Sequence, residues 1–216
     1  KQRAGRITVN GIGSGFGGRS LCLSQSTAPS MPYELEVMVK LDDESGAAGL
    51  VFGSDGGQIH YGFYPTAGKL RLTRFDGPTV LNWSILKDLD TEHYKKGEWN
   101  TIKVRHELGL IHCFVNDKKL FSFEDNNLGS GRIGLTKFRN TKAEFRKFRH
   151  GKILPTTSPP IELLTKLDKM IALIKPKDEF SIEEIDSLKL NPTLNQAILL
   201  KRAKSLEIQA KQLRNL

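Results

Sequence analysis

The chain has 216 residues, 38% hydrophobic and 26% charged, enough for one domain of ordinary size plus an appendage, or two small ones, around a buried core. Its net charge of +9 is spread, with 22 Lys/Arg against 16 Asp/Glu in residues 1–151 and 11 against 8 in 152–216; a specific nucleic-acid interface would gather that charge in a stripe. No run of 18 or more apolar residues occurs, which argues against a membrane-inserted helix. The sequence starts at Lys1 without an initiator Met or an apolar leader. We therefore expect a processed or excised piece of a longer parent, with export to the periplasm or cell exterior favoured over retention.

The first feature in chain order is the glycine-rich run Gly11-Ile-Gly-Ser-Gly-Phe-Gly-Gly18. It lacks the Lys-Ser/Thr ending of a phosphate-binding loop and no βαβ pattern surrounds it, so it reads as a turn-rich lead-in to β structure. Glu34 to Leu41 then alternates, with Leu35, Val37, Val39 and Leu41 on one face, as a half-buried strand does. Similar runs follow at 49–52, 59–64, 69–75, 83–86, 100–106, 110–115, 119–123, 131–138 and 143–149. Turn formers separate them: Asp55-Gly56-Gly57, Thr66-Ala67-Gly68, Asp76-Gly77-Pro78 and Asn126-Asn127-Leu128-Gly129. Residues 110–123 read as a hairpin with Asn116-Asp117 at its tip. About ten short strands with regular turns predict a sandwich or barrel. Over residues 137–149, Lys137, Arg139, Lys142, Arg146, Lys147 and Arg149 interleave with Phe138, Phe145 and Phe148, which predicts one buried and one solvated strand face.

Composition shifts near Leu154, dividing the chain into a β-domain (1–151), a Pro/Ser/Thr linker (152–160) and a helical extension (161–216). In the extension, Leu164, Leu167, Ile171 and Ile174 form one stripe, and Ser181-Ile-Glu-Glu184 is a capping box. Asn191-Pro192 opens a third helix, along which Leu199, Ala203, Leu206, Ala210 and Leu213 recur. Cys22 and Cys113 match no zinc spacing; one disulfide or two free thiols are both compatible with the sequence, and Cys113 shares the core alternation of Ile111 and Val115.

Four segments carry a resemblance when taken in order. Lys96-Gly97-Glu98-Trp99-Asn100 resembles the "G-x-W-N" strand of concanavalin A-like sandwiches, and Ile111 to Leu120 resembles their "V-N-G/D" hairpin. Gly131-Arg-Ile-Gly-Leu135 with Ala143-Glu-Phe-Arg-Lys-Phe-Arg149 is similar to the closing strand pair, and Tyr33–Val37 with Ala48–Phe52 to the early strands. The resemblance spans about residues 30 to 150. It implies a mainly β, concanavalin A-like or laminin-G-like jelly-roll sandwich, akin to bacterial laminin-G-like domains and the 3-keto-disaccharide hydrolase-like family. Leu200 to Arg214 is similar to the helix preceding the transglutaminase-like region of some large bacterial proteins, whose catalytic core this chain lacks.

Catalytic chemistry finds little purchase. The E-x-D-x-x-E run that supplies paired carboxylates in family-16 glycosidases is missing: Glu34 and Glu36 share a strand face, but no third carboxylate continues it. The "N-S-G-I" of the 3-keto-disaccharide hydrolases reads Ala47-Ala48-Gly49-Leu50 here. No catalytic residue and no resident cofactor is expected; calcium, which the family sometimes holds on loops, has Asp55, Asp125 and Asn126 as its loop carboxylates and amide. His106 shares the alternation of Ile102 and Val104 and reads as a core histidine. The remaining signal is a binding surface. His60 and Tyr64 fall opposite Ile59, Tyr61 and Phe63, and Arg71, Thr73 and Phe75 fall opposite Leu70 and Leu72. With Arg74, Asn82, Trp83 and His93 nearby, they form an aromatic and cationic set suited to a glycan: rings for the C–H faces of sugars, Arg and Asn for hydroxyls. The expectation is a non-catalytic module binding carbohydrate or a protein partner. The alternatives are a sugar-active hydrolase and a structural or regulatory part of a larger protein.

Overall fold

A computed structural model describes residues 2–3, 5–13, 16–25, 30–155 and 165. The chain divides between Leu154 and Pro155. Apart from Thr165, which is helical, the expected helices of 161–216 and most of the expected linker lie outside the described residues.

The first unit is all β among its described residues. Its strands are β1 (Gln2–Arg3), β2 (Arg6–Val9), β3 (Ser20–Leu23), β4 (Tyr33–Leu41), β5 (Ala47–Ser54), β6 (Ile59–Thr66) and β7 (Lys69–Asp76). They continue with β8 (Trp83–Leu89), β9 (Asn100–Glu107), β10 (Leu110–Val115), β11 (Lys118–Glu124), β12 (Arg132–Phe138) and β13 (Ala143–Gly151). Two antiparallel sheets result, one ordered β1-β2-β13-β4-β9-β10-β11 and the other β3-β12-β5-β6-β7-β8. This is the jelly-roll type of sandwich that the motif order implies. The strands at 2–3, 6–9 and 20–23 are additions to the sequence reading: four residues or fewer are too short for a period of two to register.

Alternation sends one side of each strand into the space between the sheets. Tyr33, Leu35, Val37, Val39 and Leu41 of β4, with Ile102, Val104, Ile111, Cys113 and Phe145, meet Leu50, Phe52, Tyr61, Phe63, Leu70, Leu72 and Leu135. Cys113 is fully buried and its thiol is pushed well up by that burial, while Cys22 is exposed on β3 in the other sheet; both are free thiols. His106 also faces the core, and because it pairs with Ile111 rather than His112, the two histidines point to opposite sides of the sheet.

The motifs behind the resemblance do architectural work. Asn116 and Asp117 take φ of 47° and 64°, the left-handed pair that a two-residue hairpin requires. The Asn116 side chain donates to the His93 carbonyl and Asn100 Oδ1, and accepts from the Thr101 amide at 2.8 Å. Asn100, itself fully buried, holds the preceding loop by accepting from the Lys95 amide and donating to the Lys95 and Glu98 carbonyls. Gly134 is required by close approach: a Cβ there would lie 2.2 Å from the Cys22 carbonyl oxygen of β3.

Lys137 departs from the expected solvated face. It is 1% exposed, and its ammonium donates to the carbonyls of Gly11 and Arg139. With the Arg139 amide bonded to the Gly17 carbonyl at 2.6 Å, this fastens the glycine-rich lead-in to the end of β12. That segment then reaches the outer face of the six-stranded sheet, where a methyl on Gly17 would come within 2.9 Å of the Trp83 ring.

Candidate functional site

The outer face of the six-stranded sheet carries a second aromatic cluster, separate from the main core. Ala47, Tyr64, Phe75 and Phe138 are buried together, with Trp83 half-buried against them. Centroid separations are 4.9 Å for Tyr64–Phe138, 5.7 Å for Phe75–Phe138 and 4.9 Å for Phe75–Trp83, within the range of favourable aromatic pairing. Gly62 is the floor: a Cβ there would meet the Tyr64 and Phe75 rings at 3.0 and 3.1 Å, so its absence lets both rings lie down across β6.

Arg19 roofs this cluster. Its guanidinium carbon lies 4.9 Å from the Phe75 centroid and 5.6 Å from that of Trp83. Nη1 lies 3.2 Å from His60 Nε2, and Nη2 donates to Gln58 Oε1. His60 Nδ1 lies 3.1 Å from the Tyr61 carbonyl, which can only accept. Nδ1 therefore carries the proton and Nε2 accepts from Arg19, which fixes the neutral tautomer. Burial pushes the His60 pKa down to about 4; the Tyr61 carbonyl opposes this, and the Arg19 charge adds to it.

The structure brings His60 and Tyr64 onto this one face, as the alternation implied, with Trp83 from the adjoining segment at its margin, but the face is not an open one. His60 is 0% exposed, and the Tyr64 hydroxyl is engaged with Thr73 Oγ1 at 2.8 Å. Arg71, the register partner of Tyr64, is half-buried and paired with Asp88 at 2.8 Å. Asn82 is exposed in the short turn before Trp83 and accepts from the Thr79 hydroxyl. Arg74 belongs elsewhere. It lies opposite Tyr61 in register and joins a network in which Asp125 accepts from both the Tyr61 hydroxyl (2.9 Å) and Arg74 Nη1 (2.8 Å). His93 lies beyond the far end of β8, four residues after Leu89, where its carbonyl anchors Asn116. Arg19, Gln58 and Phe138 complete the cluster and were not among the expected site residues. The alternation does not mark them as a set: the β5–β6 hairpin sets Gln58 two residues from His60, and the long-range pairing of β3 with β12 brings Arg19 and Phe138 to it.

Other polar groups are committed elsewhere. Glu34 pairs with Lys103 and Arg105, and Glu36 with Arg149, across the seven-stranded sheet. Asp125 also accepts from Asn127, and Asp55 accepts from the Gly57 and Ile59 amides. Among the described residues no three His, Cys, Asp or Glu side chains gather as a metal site would require. An open cleft of about 350 Å³ lies at the 42–46 and 139–142 loops. Its Asp42, Asp43 and Thr141 side chains are already bonded to the Lys142, Ser45 and Ala47 amides. Flanking the aromatic face are Val80, Leu81 and Ile85, exposed by 47%, 92% and 57%.

No protein-family sequence pattern matches the chain, and no curated protein matches it by sequence. Its described fold has solved counterparts. The carbohydrate-binding module CBM66 from Bacillus subtilis superposes with a TM-score of 0.55 at 18% identity, over 68% of this chain and 94% of that one. A functionally unknown protein from Saccharomyces cerevisiae gives a TM-score of 0.52 at 14% identity, over 72% and 92% of the two chains. A protein of unknown function with a galectin-like fold from Bacillus subtilis gives 0.50 at 11% identity, over 62% and 77%. At these identities the likeness is one of fold: this chain is similar to a carbohydrate-binding module and to a galectin-like sandwich.

Proposed function

We propose that this chain is a carbohydrate-recognition module whose ligand lies across the outer face of the six-stranded sheet. The observation that carries the reading is Trp83: a half-buried indole held edge-on to Phe75 at 4.9 Å, at the margin of an aromatic cluster outside the main core. A small aromatic cluster beneath a loop is common packing, but here its outermost ring, Trp83, stays half-exposed at the margin, and a sugar ring uses such a fixed aromatic edge or face with adjacent polar groups. Asn82 supplies an exposed amide next to the indole in sequence, Gln58 is bonded to the Arg19 that lies over it, and Arg71 lies farther along the same sheet face, opposite Tyr64. The fold likeness to a carbohydrate-binding module supports the reading, and the motif order extends it to kinship with the laminin-G-like domains of 3-keto-disaccharide hydrolases.

A second reading, a protein partner on the same margin, is favoured by the exposed strip of Val80, Leu81 and Ile85 on and before the edge strand β8. Titration of the intact chain with a panel of neutral and acidic oligosaccharides, read by calorimetry, separates the two. The carbohydrate reading expects binding that weakens at least tenfold in Trp83→Ala and severalfold in Asn82→Ala, the latter with unchanged melting temperature. Saccharide binding indifferent to both substitutions, or none across the panel, would remove it. Turnover of a bound 3-keto-disaccharide would convert the module into a hydrolase.

A further inference from the structure

Among the described residues Arg19 is the only buried arginine, at 7% exposure. Arg6, Arg71, Arg74, Arg105 and Arg149 each pair with a carboxylate, although their side chains are 20–42% exposed. Among the described residues Arg19 forms no ion pair. Its two hydrogen-bond acceptors are both neutral: the imidazole of His60, held in its neutral tautomer, and the carboxamide of Gln58. A buried cation is costly unless it is met by an opposite charge, and a guanidinium offers a planar fork that fits a carboxylate with two parallel bonds. The one nearby acid, Asp55, influences Arg19 only at a distance, and its Oδ1 is held by the Gly57 and Ile59 amides.

We propose that Arg19 is an anion subsite of the sugar-binding face and that it selects a carboxylated sugar, a uronic-acid unit whose ring stacks at Trp83. Gln58 is its neutral stand-in. The Gln58 side chain is exposed on the loop between β5 and β6, so its carboxamide oxygen can swing off Nη2 and yield that donor to a carboxylate oxygen. His60 stays in place beneath, fixing the guanidinium plane, and the Phe75 and Trp83 rings exclude water from the resulting pair. The inference rests on the carbohydrate reading of this face.

The test uses the intact chain and three probes: a galacturonate trisaccharide, its carboxyl-reduced neutral counterpart and a sulfated trisaccharide of equal length. The acid should bind at least tenfold more tightly than the reduced sugar, and Arg19→Gln should abolish that preference. Gln58→Glu, which places a carboxylate against Arg19 without removing any part of the cluster, should also abolish it while raising the melting temperature. Gln58→Ala should keep it. Equal affinity for acid and reduced sugars would overturn the subsite and leave the face as a neutral-sugar site. A preference that survives Gln58→Glu, or one for the sulfated probe over the acid, would overturn the assignment to Arg19 and carboxylate. Binding of no probe would remove both readings.

Discussion

Acidification from pH 7.5 to 4.5 should cost the sandwich a large part of its stability, because two imidazoles are buried neutral. His60 is 0% exposed and His106 1% exposed. His106 Nδ1 meets the Tyr33 hydroxyl at 3.1 Å, and the ring is packed by Tyr33, Phe52 and Tyr61 at centroid distances of 5.4, 5.2 and 5.7 Å. Burial brings both pKa values from 6.5 down to about 4. Between those values the unfolded chain binds protons that the native state refuses, so stability rises with pH through the window and is lost as pH falls from about 6.5 toward 4. Each ring contributes up to about 3 kcal/mol of that loss, against a total stability of about 5–15 kcal/mol for a domain. His112, more open to water, is depressed in the same direction. For Asp125, burial acts against ionisation, but hydrogen bonds from Asn127, Tyr61 and Arg74 outweigh it and hold the pKa below the usual range. Its own contribution therefore disappears only at still lower pH. Both tryptophans, Trp83 and Trp99, lie in the sandwich, so urea unfolding followed by indole fluorescence reads this unit directly. The expected result is a midpoint that falls steadily between pH 6.5 and 4.5, with a shallower fall in His106→Gln and in His60→Gln. A midpoint flat across the window, or a slope unchanged in both variants, would refute the reasoning.

Asn116→Ala removes three side-chain hydrogen bonds and strains a left-handed position; it should cost about 2–3 kcal/mol, visible as a lowered melting temperature, while Asn116→Gly should cost less. Gly62→Val should displace Tyr64 and Phe75 and cost about 1–3 kcal/mol, with a shift in Trp83 fluorescence that the same substitution at exposed Gly129 would not produce. Thiol titration of the native protein should label Cys22 at once and Cys113 only after denaturant is added; immediate labelling of both would contradict the burial of Cys113.

The sandwich was legible because a period of two is a local signal. Leu35 to Leu41, Leu70 with Leu72 and Ile111 to Val115 alternate strongly enough to declare their inward faces, and Asn116-Asp117 declares its hairpin. The same rule placed His60 and Tyr64 with Phe75 on one outer face, to which Trp83 was added only as a neighbour in sequence. It could not say what lies above that face. Arg19 is 41 residues from His60, and its roof over Phe75 and Trp83 follows from the path of a glycine-rich segment that carries no periodicity. Lys137 misled for a related reason: its position on the alternation was read from its charge, whereas the fold buries its ammonium against the Gly11 and Arg139 carbonyls. Arg74 and His93 were grouped with Trp83 by nearness in sequence, and a strand's length and a sheet's thickness separate them from it.

The most direct test of the carbohydrate-binding face is to titrate the isotopically labelled chain with a saccharide that it binds and to map the perturbed backbone amides. The account predicts shifts confined to Gln58–Gly62, Phe75, Asn82–Ile85 and the Gly17–Arg19 segment. Shifts centred on the 42–46 and 139–142 loops, or on the outer strands β9 to β11 of the seven-stranded sheet, would contradict it.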